Sequence, residues 1–373
     1  MFPRSAPIAR RTWPATILVL VALALASSGC ASPIALLSGV PVQAAATASA
    51  PAYATTWFDL YFTTPELTAN LPNPTGGIPD KVAASFDAAQ HTIDLAIYQF
   101  DLLPIANSLL RASQRGVQVR VVTDSDSLDM DAIQSLIRAG ITVVPDRRSA
   151  IMHDKFAVVD SASVWTGSMN FTYNDAYRND NNFIQIRSPQ LAQNYTHEFE
   201  KMFVNKQFGA HTRVDTPNPL ITLAGTKIEN YFAPKGAVAS HIDDVLAAAQ
   251  HSIYFMAFDF TRRDFGQTLL DQAAAGLDVR GVFESQQLAA GGDAVWQMLA
   301  NGGLADNERK DGNPKKMHNK VFVVDRAIVE TGSYNFSASA ENSNDENVII
   351  IHDPAIAAAY YAQWERIWAE GKK

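Results

Sequence analysis

Cysteine is almost absent: Cys30 is the one cysteine among 373 residues. A disulfide scaffold is excluded, and so is a zinc or iron–sulfur site built on cysteine. Long apolar runs are also missing. The stretch Ala15–Ala26 (ATILVLVALALA) has 12 residues, short of the roughly 20 that span a bilayer. Excess positive charge is missing too. The formal net charge is −8, so general attraction to polyanions would need a local basic patch. Charged residues are only 18% and hydrophobic ones 47%, which excludes disordered and coiled-coil classes and leaves material for large cores. The length fits about two domains.

The N-terminus has the layout of an export signal. Arg4, Arg10 and Arg11 precede the apolar run, and a polar Ala/Ser/Thr/Pro stretch follows it. The run ends in Ser27-Ser28-Gly29-Cys30, which resembles a bacterial lipoprotein signal, although Ser27 stands where that pattern prefers leucine. In that resemblance Cys30 is lipidated and becomes the new N-terminus. Small residues at Ala44–Ala50 offer a cleavage site for a freely secreted form. Residues 1–30 are expected to be a signal peptide and 31–56 a flexible tether. The protein is expected to be exported, either as a membrane-anchored lipoprotein or free in the periplasm or outside the cell.

The remaining chain is one unit written twice. Ala88-Ala89-Gln90-His91-Thr92-Ile93 recurs as Ala248-Ala249-Gln250-His251-Ser252-Ile253, and RGVQVRVVTDS (115–125) recurs as AGLDVRGVFES (275–285). Tyr61-Phe62 recurs as Tyr231-Phe232, with extra residues near Leu67–Gly77 in the first copy. Each copy reads helix (81–90; 240–250), buried strand (93–100; 253–260), helix (103–115; 265–275), strand (117–123; 279–283) and helix (130–139; 294–301). A strand near 141–144 follows in the first copy. Continuous apolar strands alternating with helices predict an α/β fold, duplicated in tandem. The two copies are 57–215 and 216–373, each a mostly parallel or mixed sheet flanked by helices, packed about a pseudo-two-fold axis.

Both copies carry His-x-Lys-x4-Asp-x6-Gly-Ser-x-Asn: His153, Lys155, Asp160, Gly167, Ser168 and Asn170, then His318, Lys320, Asp325, Gly332, Ser333 and Asn335. On an extended strand His and Lys share a face, whereas the aspartate falls on the opposite parity where a turn begins. The returning strand brings Ser and Asn back beside His and Lys. Cleaving a phosphodiester takes a nucleophile, a proton donor and positive charge on the non-bridging oxygens. A neutral histidine attacks phosphorus and a charged one protonates the leaving oxygen. Lysines and asparagines hold the oxygens. Each copy supplies half of this set, so one chain suffices and a monomer is competent. No cofactor is expected, and no metal: neither His-Glu-x-x-His nor a Cys/His cluster exists.

This double motif resembles that of the phospholipase D superfamily, over essentially residues 57–370. The resemblance implies a phosphodiesterase in which His153 is the nucleophile that forms a phosphohistidine. His318 is the general acid, then the base that activates water. Lys155, Lys320, Asn170 and Asn335 would bind the phosphate, with Ser168 and Ser333 supporting them. Asp160 and Asp325 match the motif aspartates of the catalytic set, although their parity points to a structural turn. Glu346 stands where the family often has an acid bonded to a catalytic histidine. Asn181 occupies the matching first-copy position, which implies unequal support of the two histidines and leaves open which is nucleophile.

The superfamily divides over substrate. An exported, acidic chain favours a phospholipid membrane surface, with Trp165, Phe171, Tyr173, Tyr334 and Phe336 available as a wall for acyl chains. Arg147-Arg148, Arg309-Lys310 and Lys315-Lys316 beside the motifs favour nucleic acid instead. Residues 301–316 are expected to form a loop over the site.

Overall fold

The alternation of apolar strands and amphipathic helices, repeated twice, produces two sheets of eight strands. The computed structural model describes residues 53–211 and 215–373. The leader, Cys30 and the greater part of the expected tether lie outside the described residues. The tether ends earlier than expected, because Tyr53 and Ala54 already pair with Leu60 and Asp59.

The first sheet comprises β1 (Tyr53–Ala54), β2 (Phe58–Phe62), β3 (Thr92–Ile97), β4 (Gln118–Thr123), β5 (Thr142–Pro145), β6 (Lys155–Val159), β7 (Ser163–Gly167) and β8 (Asn182–Arg187). Their spatial order is β1-β2-β8-β7-β6-β3-β4-β5. The second comprises β9 (Leu220–Leu223), β10 (Thr226–Ala233), β11 (Ser252–Ala257), β12 (Asp278–Phe283), β13 (Glu308–Lys310), β14 (Lys320–Val324), β15 (Ile328–Gly332) and β16 (Glu346–His352). Its order is β13-β12-β11-β14-β15-β16-β10-β9. The runs β3-β4-β5 and β11-β12-β13 are parallel. The motif strands β6 and β14 join them antiparallel. The fold is therefore α/β with two mixed sheets, as the duplicated pattern predicts.

Side chains alternate across each sheet. On β6 Phe156 and Val158 enter a central core, while Ala157 and Val159 enter an outer one. On β14 Val321 and Val323 face the central core, while Phe322 and Val324 face outward. Helices Ile78–Ala88, Leu103–Gln114 and Asp131–Arg138 cover the first outer face, and Val238–Ala247, Arg263–Ala274 and Ala294–Leu299 cover the second. The central core fills the space between the sheets, with helices Pro189–Phe203 and Pro354–Glu370 packed into it through Tyr195, Phe199, Tyr360 and Trp364. Those two helices are additions to the sequence-based pattern.

Two expectations are corrected here. The apolar runs to Phe100 and Phe260 leave their strands at Ile97 and Ala257. Beyond those points the N–H groups of Tyr98 and Phe258 donate to the Asp154 and Asn319 carbonyls. Those bonds carry the antiparallel register one step past each strand end, beside the adjacent motif. The expected loop over 301–316 is largely built into the fold: Glu308–Lys310 is an edge strand parallel to β12, and only its end, Pro314–Lys316, reaches the site.

Candidate active site

The residues ahead of β6 and β14 are clamped by the opposite repeat. The N–H of His153 donates to the Asp345 carbonyl at 3.0 Å, and that of His318 to the Asp180 carbonyl at 2.8 Å. Side chains repeat this reciprocity. Asn347 donates to Asp154 Oδ1 (2.7 Å) and accepts from Thr166 and Tyr195 (2.6 and 3.0 Å). Asn182 donates to Asn319 Oδ1 (2.8 Å) and accepts from Thr331 and Tyr360 (both 3.0 Å). Contacts exchanged in this way are those of a pseudo-two-fold axis between the repeats.

Each histidine is oriented through Nδ1 by the other repeat. His153 Nδ1 lies 2.8 Å from Glu346 Oε2, and His318 Nδ1 lies 3.0 Å from Asn181 Oδ1. Nε2 is left as the reactive nitrogen of each ring. Ser168 Oγ donates to Asn181 Oδ1 at 2.8 Å and Ser333 Oγ to Glu346 Oε2 at 2.6 Å. The serines therefore hold the partners of the histidines. The preceding glycines are required by close approach: a Cβ on Gly167 or Gly332 would sit 2.4 or 2.2 Å from the Asn182 or Asn347 carbonyl oxygen.

Lys155 and Lys320 are fully buried, and each ammonium donates to the carbonyl of its own motif histidine, at 2.5 and 2.6 Å. The rings of Tyr98 and Phe258 lie beside His153 and His318 respectively, and 5.2 and 4.5 Å from the two ammonium groups. Burial pushes Lys155 down to about 8, against the pull of Glu346 and Asp175. Burial and then Lys155 hold Lys320 well below its ordinary value. Burial brings His153 to about 4 despite Glu346, and burial with Lys320 and Lys155 takes His318 well below its ordinary value. Four basic groups thus oppose one another's charge, and an anion placed among them would restore their protons.

His153, His318, Asn170 and Asn335 line one cavity of about 570 Å³ with Tyr98, Phe258, Asp175, Lys315 and Lys316. The side-chain oxygens of Asn170 and Asn335 make no hydrogen bond.

Asp160 and Asp325 are not brought to this site. Each sits at the far end of its strand, with φ of 53° and 52°, followed by a second residue at 52°. Two successive left-handed residues make the tight turn of each three-residue connection, and aspartate tolerates that conformation. Asp160 accepts the N–H groups of Gln90, His91 and Thr92 at 2.7–2.9 Å, and Asp325 those of Gln250, His251 and Ser252. Burial works to raise Asp160, but these donors outweigh it and hold the carboxyl below its usual value. Asp160→Ala is therefore expected to cost about 2 kcal/mol of stability and to leave kcat within about threefold in the folded protein. A thermal melt and a rate on the same sample check this; a rate loss like that of a motif histidine would return the aspartate to the site.

Other expectations are also relocated. Trp165, Phe171, Tyr334 and Phe336 are buried in the outer cores, and Tyr173 packs against one of them. None of these five lines the cavity: Trp165 faces outward on β7, and the other four, beyond the strand ends, pack into or against the outer cores. Arg148 is tied to Asp345, Asp146 and the Ser343 carbonyl. Arg309 bonds the Trp368 carbonyl, and Lys310 lies over Trp296. Lys315 and Lys316 are the basic residues of those pairs that reach the rim. Asp175, buried beside His318, had no sequence signal beyond its mismatch with Ala340 in the second copy.

A family model described as "Cardiolipin synthase, PLD-like domain" matches residues 82–203 and 242–368. The chain belongs to the phospholipase D superfamily. Within it, a phospholipase D of Rickettsia bellii (strain RML369-C) is 30% identical over 40% of this chain and 76% of its own length. A mitochondrial cardiolipin hydrolase of Xenopus tropicalis is 36% identical over 31% of this chain. The chain spans just 56% of that hydrolase's length. The phosphatidylserine synthase of Haemophilus influenzae Rd KW20 shares the fold at 14% identity, with a TM-score of 0.61 over 79% of this chain and 84% of that one.

Proposed function

We propose that this phospholipase D-type phosphodiesterase acts on phospholipids at a membrane surface, releasing the headgroup and leaving phosphatidic acid. The observation that carries the reading is the convergence of both motif histidines and both motif asparagines on one cavity, with each motif lysine buried against the carbonyl of its own histidine. His153 Nε2 attacks phosphorus, and the bond to the headgroup oxygen breaks as His318 donates its proton to that oxygen. His318, now neutral, takes a proton from water. The resulting oxygen nucleophile breaks the phosphorus–nitrogen bond and frees His153. The carboxylate on His153 suits a nucleophile that becomes a phospho-imidazolium. The neutral amide on His318 suits a stronger acid.

Several features support lipid. Named relatives are a phospholipase D and a cardiolipin hydrolase. The polar cavity suits a phosphate and headgroup rather than acyl chains, which would stay in the bilayer. Leu67 (62% exposed) and Leu71 (37%) stand on the segment extra to the first copy. Thr63 and Thr68 pin that segment to the Asn179 and Tyr177 carbonyls at the rim. A second reading, nucleic acid, is favoured by Lys315 and Lys316 and by the rings of Tyr98 and Phe258, which could stack on bases.

The test is the full chain on vesicles of phosphatidylethanolamine, phosphatidylglycerol and cardiolipin in excess EDTA, with phosphatidic acid read by mass spectrometry. Phosphatidic acid formed in EDTA is the expected result. Folded protein that leaves the lipids intact but cuts single-stranded DNA would move the assignment to the second reading.

A further inference from the structure

The two repeats provide the same local support with the carboxylate in different places. In the second repeat Glu346 accepts from Ser333 Oγ (2.6 Å) and Asn344 Nδ2 (3.3 Å) while holding His153 Nδ1. The equivalent residues of the first repeat are Ser168, Asn179 and Asn181. Ser168 still donates to residue 181, and that amide oxygen faces His318 Nδ1. Asn179 turns elsewhere. It donates to Asp175 Oδ1 at 2.5 Å, and Asp175 stands where the second repeat has Ala340. Asp175 is 3% exposed and its Oδ1 lies 3.7 Å from His318 Nδ1. Its other oxygen accepts the Asn170 N–H at 3.0 Å. The acid missing at position 181 thus reappears at 175, with the matching asparagine turned onto it.

We propose that Asp175 is the positioning residue that lets His318 hold its proton, in place of the carboxylate absent at position 181. The leading charged neighbours of His318 are Lys320 at the start of β14, Lys155 and His153 from the other repeat, and Lys316 on the segment before it. Burial is the largest influence against a charged His318, and each of these groups adds to it. Asp175 supplies nearby negative charge against that set. Asn181 fixes which nitrogen faces the cavity but brings no charge. The sharing of work between a neutral amide and a displaced carboxylate leaves His318 a stronger acid than His153 without stripping it of its proton.

The role rests on the reading of His318 as proton donor, so the test has one arm that needs no substrate. Asp175→Asn removes the charge and keeps the shape. In histidine-labelled protein followed by NMR, the His318 midpoint is expected to fall by at least about one pH unit, since a lost opposite charge disfavours the cation. In turnover, the alkaline limb of kcat moves to lower pH while KM stays within about threefold. Adding Asn181→Asp to Asp175→Asn puts a carboxylate directly on Nδ1 and is expected to bring the limb and the midpoint back to the wild-type position or above. An unchanged His318 midpoint in Asp175→Asn overturns the proposal, even if the rate falls. If that variant does not fold, the double variant decides: folded protein with a His318 midpoint below the wild type's overturns it. Loss of the phosphodiesterase reading alone would leave the NMR result standing.

Discussion

His153→Ala is expected to lower kcat by about 10⁴-fold or more, because it removes the atom that becomes bonded to phosphorus. His318→Ala should behave differently. On an ordinary alcohol leaving group it loses about 10²–10⁴-fold, the usual worth of a general acid. On bis(p-nitrophenyl) phosphate the leaving group needs no proton, so the first step survives. The variant then has no base for water and stalls. A burst of about one p-nitrophenolate per enzyme is expected, with acid-labile phosphate on His153. His153→Ala should give no burst. The asymmetry behind this order is structural: Glu346 sits on one imidazole at 2.8 Å and an amide sits on the other at 3.0 Å. A burst in His153→Ala and none in His318→Ala would exchange the two roles.

The duplication was legible because it is written in residue identities, and strand parity alone places His and Lys together while sending the aspartates to the turns. Glu346 was legible through its place in the motif, and the structure sets it on His153 rather than on the histidine of its own repeat. The partner swap depends on how the sheets face each other, which no spacing within one repeat encodes. Asp175 was hidden for the same reason. It has no counterpart in the second copy, and its meaning appears only beside a histidine far along the chain. The aromatic wall failed because nearness in sequence does not say which core a ring enters: Trp165 and Phe171 lie near the motif along the chain and in the outer core in space. Tyr98 and Phe258 do face the motif lysines, and they lie at strand ends where an apolar run reads as plain core. Arg148 illustrates a further limit. Its neighbours made it look like part of a rim for polyanions, yet a buried carboxylate of the opposite repeat claims it.

Asn347→Leu is expected to be the most destabilising single change outside the catalytic groups, by about 3–5 kcal/mol. The side chain is fully buried, and its amide joins four groups. Thr166 and Tyr195 lose their acceptor, and Asp154 and Ser333 lose a donor. Leucine has similar bulk, so the cost comes from stranded polar groups rather than from a cavity. Asp154 matters most among them. Burial already pushes its carboxyl well above the usual range, and its second oxygen has no partner. The first repeat offers the internal comparison. Asn182→Leu strands Thr331, Tyr360, Ser168 and Asn319, where an amide replaces the acid. It is expected to cost less, because no buried carboxyl is left without its donor. Urea unfolding of the two variants side by side measures the difference. Equal losses would mean that the Asp154 contact contributes no more than the Asn319 contact, and a loss under about 1 kcal/mol in Asn347→Leu would mean that the buried polar lattice does not join the repeats.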